Sequence, residues 1–166
     1  MTDQPKMSLE SSKDASDAPE REILTWELFG EASRELTEQI VTSGWIPDLI
    51  VAIARGGLIP AGAVSYAMDV KACGTMNVEF YTGVGQTLEE PQLLPPLMDV
   101  SAMNGKRVLI VDDVLATGGT AGASVDLLRQ CGAEVATVAV LLELEAFSGR
   151  KVLADKGVSV ESALLV

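Results

Sequence analysis

The stretch Val108-Leu-Ile-Val-Asp-Asp-Val-Leu-Ala-Thr-Gly-Gly-Thr120 decides how the whole chain is read. Apolar residues from Val108 to Val111 end in two adjacent carboxylates, a polar turn with paired glycines follows, and Ala121 to Cys131 has helical spacing closed by Gly132. Strand, turn and helix in that order form half of a βαβ unit, and a strand that is apolar on both faces belongs to a covered parallel sheet. Open sheets of this kind bind ligands outside the carboxyl ends of their strands, where Asp112 and Asp113 fall. Gly118 and Gly119 let the backbone approach a ligand and aim successive N–H groups at it. The helix starting near Thr120 adds the positive end of its dipole. Thr117 and Thr120 add uncharged hydroxyl donors. Acids beside a phosphate cradle suit a ligand with both hydroxyls and a phosphate, as in ribose 5-phosphate, because carboxylates repel phosphate but accept hydrogen bonds from sugar hydroxyls.

The same grammar occurs upstream. Leu49 to Ala54 is a short apolar run, Arg55-Gly56-Gly57 a turn, and Leu58 to Met68 a helical segment. Before it, Trp26, Phe29, Ala32, Leu36 and Ile40 recur at three- and four-residue spacing, which predicts an amphipathic helix over Thr25 to Thr42 with Thr25 as its N-cap. Val70 to Phe80 reads as a strand. Tyr81 to Met98, punctuated by Gly83, Gly85, Pro91, Pro95 and Pro96, reads as a mobile loop. Val135 to Leu142 is a buried parallel strand, and Val158 to Val166 a last, edge strand. The expectation is one α/β domain over residues 22–166, a mostly parallel central sheet flanked by helices. Residues 1–21 are rich in Ser, Asp, Lys and Pro, carry almost no large apolar residues and read as a disordered tail.

Composition narrows the function. A chain of 166 residues with 48% hydrophobic and 22% charged residues has the makeup of a single globular domain. Its net charge is −12; the tail holds five acids and three bases, so the domain keeps −10. That charge disfavours nucleic acid and anionic membranes as partners. There is no histidine, which excludes Ser/His/Asp triads, Cys/His dyads and histidine-ligated zinc. Cys73 and Cys131 stand far apart with no Cys-x-x-Cys pairing, which fits a reduced, cytoplasmic setting. No signal-peptide core and no run of 18 apolar residues occurs, so the expectation is neither secretion nor membrane spanning.

The Val108 to Thr120 segment resembles the phosphoribosyl-diphosphate (PRPP) motif of type I phosphoribosyltransferases. The resemblance extends over most of residues 23–166 and implies that family's fold, with a small hood. It implies that Asp112 and Asp113 hold the ribose hydroxyls and, through them, diphosphate or water, a Mg2+ ion. Ala116, Thr117, Gly118, Gly119 and Thr120 would wrap the 5-phosphate. Ala54-Arg55-Gly56-Gly57 resembles the family's pyrophosphate loop, where backbone N–H groups and the Arg55 guanidinium meet the diphosphate. Tyr81 to Met98 matches in position the flexible loop that closes over the reacting centre. The first half, with Thr25-Trp-Glu-Leu28, is similar to xanthine-guanine and related 6-oxopurine transferases, whereas DDVLATGGT, LLRQCGAEV and LLELEAFSGRKVL are similar to adenine phosphoribosyltransferase. The 6-oxopurine enzymes usually carry an aspartate where this chain has Ala116 and a lysine near Leu144; both are missing here, which favours adenine.

The implied activity is Mg2+-dependent transfer of ribose 5-phosphate from PRPP to a purine base in purine salvage, with Arg55, Asp112 and Asp113 as catalytic residues and a homodimer or larger assembly as the unit. Leaving-group stabilisation dominates such a reaction. No general base stands out; Tyr81, Glu89 and Glu90 lie in the loop. The rival reading is a PRPP-binding regulator without catalysis, against which count the acidic domain and the absence of an added helix-turn-helix. A receiver domain is disfavoured because no aspartate occurs between Asp126 and Asp155 to serve as phosphoacceptor. Gly83-Val-Gly85 and Gly119-Thr-Ala-Gly122 lack the remainder of dinucleotide and P-loop motifs. Trp26, Phe29 and Met68 are expected in the core, Cys131 as a buried helix-end thiol, and Phe147 in the core rather than stacked on a base. Glu143 is expected either to orient the pocket backbone or to be paired or solvated at the surface.

Overall fold

The computed structural model describes residues 24–83, 86–94 and 100–166, with backbone alone for 79–83, 86–94 and 102. The N-terminal segment 1–21 lies outside the described residues. Helix α1 spans Trp26–Thr42, β1 Leu49–Ile53, α2 Leu58–Ala67, β2 Cys73–Gly83, β3 Gln86–Leu94, β4 Arg107–Leu115, α3 Gly119–Gln130, β5 Glu134–Glu143, α4 Gly149–Asp155 and β6 Ser159–Leu165. The strands form one six-stranded sheet in the order β3-β2-β1-β4-β5-β6. The pairs β2–β1, β1–β4, β4–β5 and β5–β6 are parallel, and β3 runs antiparallel to β2 at the edge. This is the α/β sheet the sequence implies.

Burial explains the apolar runs. Ile50 to Ile53, Val108 to Val111 and Val138 to Leu141 are all buried, because helices cover both faces of these central strands. On one face α1 and α2 enclose Leu36, Ile40, Ile50, Val64, Leu109 and Val111; on the other α3 and α4 enclose Val51, Val108, Ile110, Val125, Val138 and Leu153. Thr25 caps α1, its side-chain oxygen accepting from the Leu28 N–H at 3.2 Å. Ser33 and Thr37 sit on the buried side and return their hydroxyls to the carbonyls of Phe29 and Ser33, at 2.8 Å each, so no donor is stranded there.

Four expectations need correction. The segment read as a loop contains β3, paired with β2 from Asn77 opposite Leu94 to Gly83 opposite Gln86. Pro91 is tolerated because β3 is an edge strand and the register slips between the Glu79–Gln92 and Tyr81–Thr87 pairs, where a missing N–H breaks no regular ladder. Second, the strand at Arg107 does not stop at Val111 but carries the acid pair and ends at Leu115. Third, Trp26 is 73% exposed and Phe147 54% exposed, so neither is core. Trp26 sits in the first turn of α1 and packs edge-on against Phe29, with ring centroids 5.7 Å apart. Fourth, Cys131 is only partly buried, at the C-terminus of α3. Phe29 and Met68 do pack against the α1–α2 core.

Candidate functional site

The site arises where the sheet reverses direction. From β1 the chain crosses through α2 to β2 on one side, whereas β4 lies on the other side of β1 and leads through α3 to β5. The turns leaving β1 and β4 therefore diverge to opposite faces and leave a crevice at their carboxyl ends, a topological switch point. Ala52 pairs with Val111, so Ala54 and Arg55 leave β1 abreast of Asp113.

The approach is close enough to require glycine. A Cβ on Gly56 would lie 2.2 Å from the Asp113 carboxyl carbon, and one on Gly57 would lie 2.4 Å from the Val111 carbonyl oxygen. The Ala54–Arg55 peptide is cis. Arg55 is exposed, and its guanidinium forms no ion pair with another described residue. The β1 turn thus presents a cation and backbone N–H groups directly beside the acid pair.

The two acids differ. Asp112 is buried, at 8% exposure, while Asp113 is exposed. The Asp113 N–H donates to the Asp112 carboxylate at 2.9 Å, and the Val114 N–H to that of Asp113 at 3.0 Å. Burial, reinforced by hydrogen bonding to the Asp113 side chain and by its charge, pushes the Asp112 carboxyl up to about 8. At neutral pH the free site consequently carries less negative charge than two carboxylates would, which reduces its repulsion of an anionic ligand.

After Leu115 the chain turns through Ala116, Thr117 and Gly118 into α3. Gly118 adopts φ +77°, the left-handed region that glycine enters at little cost, and its carbonyl accepts from Gly122 at 2.8 Å. Thr117 and Gly119 are exposed and Thr120 is half-buried, so the first turn of α3, whose leading N–H groups lack intrahelical acceptors, is accessible to a ligand. Every residue singled out in Ala54–Gly57 and Asp112–Thr120 lies either at the carboxyl end of β4, as Asp112 and Asp113 do, or in the two turns that leave β1 and β4 and the first turn of α3. Of Tyr81, Glu89 and Glu90 only the backbone is described.

Sequence reasoning missed a third component, the segment around Gly149. Glu143, expected to orient the pocket or to be paired or solvated, is buried and paired. Its carboxylate accepts from Arg150 Nε at 2.8 Å, from Arg150 Nη2, and from Ser162 Oγ at 2.9 Å. The Arg150 guanidinium holds the Glu143 carboxyl below the usual range despite burial. The only sequence sign was Gly149-Arg150 shortly after a buried strand.

A switch-point crevice lined by an arginine turn, an acid pair and an N–H cradle defines an α/β protein of the type I phosphoribosyltransferase fold. The same fold occurs in the purine phosphoribosyltransferase of Pyrococcus horikoshii Ot3, at 30% identity and a TM-score of 0.62 over 86% of this chain and 83% of that one. It occurs also in the adenine phosphoribosyltransferase of Rhodothermus marinus, at 31% identity and a TM-score of 0.65 over 86% and 81%. The chain belongs to the phosphoribosyl transferase domain family, whose model matches residues 20–161. Among curated relatives, the adenine phosphoribosyltransferase of Thermobifida fusca is 41% identical over 113 residues, 68% of this chain. The chain spans about half the length of the first curated relatives it matches.

Proposed function

We propose that this chain transfers ribose 5-phosphate from PRPP to a purine base, adenine ahead of hypoxanthine, guanine and xanthine, releasing diphosphate. The observation that carries this reading is the packing of Gly56 against Asp113, which joins the arginine turn, the acid pair and the N–H cradle in one crevice. Family membership and the adenine phosphoribosyltransferases among the relatives support the reaction class and the base.

In the reaction the bond from the anomeric carbon to the diphosphate oxygen breaks with its electron pair leaving on diphosphate, a ring nitrogen of the base bonds to that carbon, and the N–H proton of the base passes to the departing diphosphate or to water. The N–H groups and hydroxyls of Ala116 to Thr120 hold the 5-phosphate and fix the sugar. Asp112 and Asp113 accept hydrogen bonds from the ribose hydroxyls, orienting the ring as positive charge develops on it. Arg55, with the N–H group of Gly56, binds the diphosphate and stabilises it as it departs, the Gly57 N–H being taken by the Ile53 carbonyl at 2.9 Å. The acid pair also fits a hard cation with oxygen ligands. Among the described residues no group of three or more His, Cys, Asp or Glu could hold a metal, so Asp112 and Asp113 are the residues that would help hold one, indirectly. Magnesium chelated by the substrate supplies, when bound, positive charge to the leaving group. Neither Ala116 nor Leu144 offers a charged side chain to a 6-oxopurine, which supports adenine.

The test is diphosphate release from PRPP with magnesium and each of adenine, guanine, hypoxanthine and xanthine, with a chelator control. Release with adenine, abolished by chelation, is expected. Absence of release with every base refutes the proposal, and PRPP binding without turnover would instead identify a regulator.

A further inference from the structure

The crevice has a floor that neither turn provides. Gly149, buried at the start of α4, lies directly beneath the cradle: a Cβ there would stand 2.3 Å from the Ala116 carbonyl oxygen and 3.0 Å from the Gly118 nitrogen. From the other side, a Cβ on Gly118 would stand 2.9 Å from the Gly149 oxygen and 3.2 Å from Val152 Cβ. Backbone thus rests on backbone, and displacement of α4 displaces Ala116 to Gly118 with it.

Besides the core packing of Leu153, two sets of polar contacts fix α4. At its far end Lys156 pairs with Asp126 at 2.6 Å, and the Lys156 carbonyl accepts from Arg129 at 2.8 Å, which ties α4 to α3. At its first turn Arg150, the neighbour of Gly149, reaches across β5 and β6. It grips Glu143 on β5 through Nε and Nη2, donates to the Val160 carbonyl on β6 at 2.7 Å, and meets Ser162 Oγ at 3.0 Å. Glu143 in turn lies opposite Leu115, the last residue of β4 before the cradle. The pair therefore clamps the helix under the loop to the strand beside it.

We propose that Glu143 and Arg150 are positioning residues for the 5-phosphate cradle, acting through Gly149 on Ala116 to Gly118. The proposal rests on the reading that this loop holds the 5-phosphate. A pair serving stability alone would be replaceable by apolar residues of similar size with no change in binding: only Glu143 is buried, the Arg150 side chain being 48% exposed, and exchanging both partners leaves no buried carboxylate unpaired. A positioning pair would not be, because apolar packing lacks the direction that a planar fork imposes.

The experiment compares wild type, the double variant Glu143→Leu/Arg150→Met and Arg150→Lys by thermal melting and by calorimetric titration with two separate probes, ribose 5-phosphate and diphosphate. The double variant is expected to stay folded at the titration temperature and to bind ribose 5-phosphate about tenfold more weakly, with diphosphate affinity within about twofold of wild type. Arg150→Lys keeps the charge but loses the fork, and is expected to show the same selective loss to a smaller degree; it carries the test should the double variant fail to fold. Folded variants that bind ribose 5-phosphate as wild type does, or that lose both probes equally, overturn the proposal. Wild type that binds diphosphate but not ribose 5-phosphate overturns the cradle reading itself, and the positioning role with it.

Discussion

Gly56 and Gly57 are adjacent, yet alanine at each should fail for a different reason. Neither residue has a positive φ, so alanine fits both backbones and only the added methyl matters. At position 57 the methyl would meet two carbonyl oxygens, those of Val111 at 2.4 Å and Ile53 at 2.7 Å. These belong to central strands that cannot withdraw. Forcing a methyl into packed backbone costs about 3 kcal/mol, and Gly57→Ala should melt well below wild type. At position 56 the methyl would lie 2.2 to 2.3 Å from the Asp113 carboxyl atoms, about 1.2 Å short of an ordinary 3.4 Å contact. Asp113 is exposed and can rotate away, so Gly56→Ala should cost less than about 1 kcal/mol of stability. The rotation removes the carboxylate from its place beside the ribose. Displacement by an ångström at a reacting centre costs about 100-fold in rate, or about 2.7 kcal/mol. Denaturant melts and diphosphate-release assays on both variants measure the two effects. A Gly56→Ala protein with wild-type turnover, or a Gly57→Ala protein as stable as it, would refute the reasoning.

Other outcomes follow from the same contacts. Asp112 titrates near 8 in the native state against 3.8 when unfolded, so the native state binds the proton more tightly and, without ligand, stability should fall as pH rises from about 4 to about 8. Asp112→Asn should remove that slope and stabilise the protein at pH 8 by at most about 6 kcal/mol, read by melts across pH; an unchanged slope would contradict the burial argument. Glu143 has the opposite sign: its lowered pKa stabilises above about pH 4.5 and that contribution is lost in acid, so Arg150→Met should flatten the acid limb of the same profile. Thr25→Ala should cost about 1 kcal/mol by stranding the Leu28 N–H, measurable in urea titrations.

What could be read from the chain follows from where its constraints lie. Strand, turn and helix at Val108 to Gln130 were legible because each signal is local: an apolar run, two glycines, then helical spacing. Edge strand β3 was not, because its pairing to β2 is a tertiary fact that overrides the glycine and proline punctuation. Helix α4 has only seven residues, too few for a periodic signal. Within the site, the chemistry of Arg55, Asp112 and Asp113 was visible, but their adjacency follows from the register of β1 on β4. The clamp under the cradle was hidden for a similar reason: Gly149 touches Gly118, 31 positions away, and no local pattern marks such a contact.

The seam between β1 and β4 also ties recognition to folding. Leu49 pairs with Val108 and the Asp48 carboxylate binds Arg107, contacts that join segments 59 positions apart. Such long-range parallel pairings close late and slowly. A ligand that needs both turns binds only after this seam has zipped, so every partly opened form of the chain is blind to it. Saturating ligand should therefore slow amide hydrogen exchange of β1 and β4 by the full factor that its binding constant allows, and leave fraying at the distant end of β6 untouched.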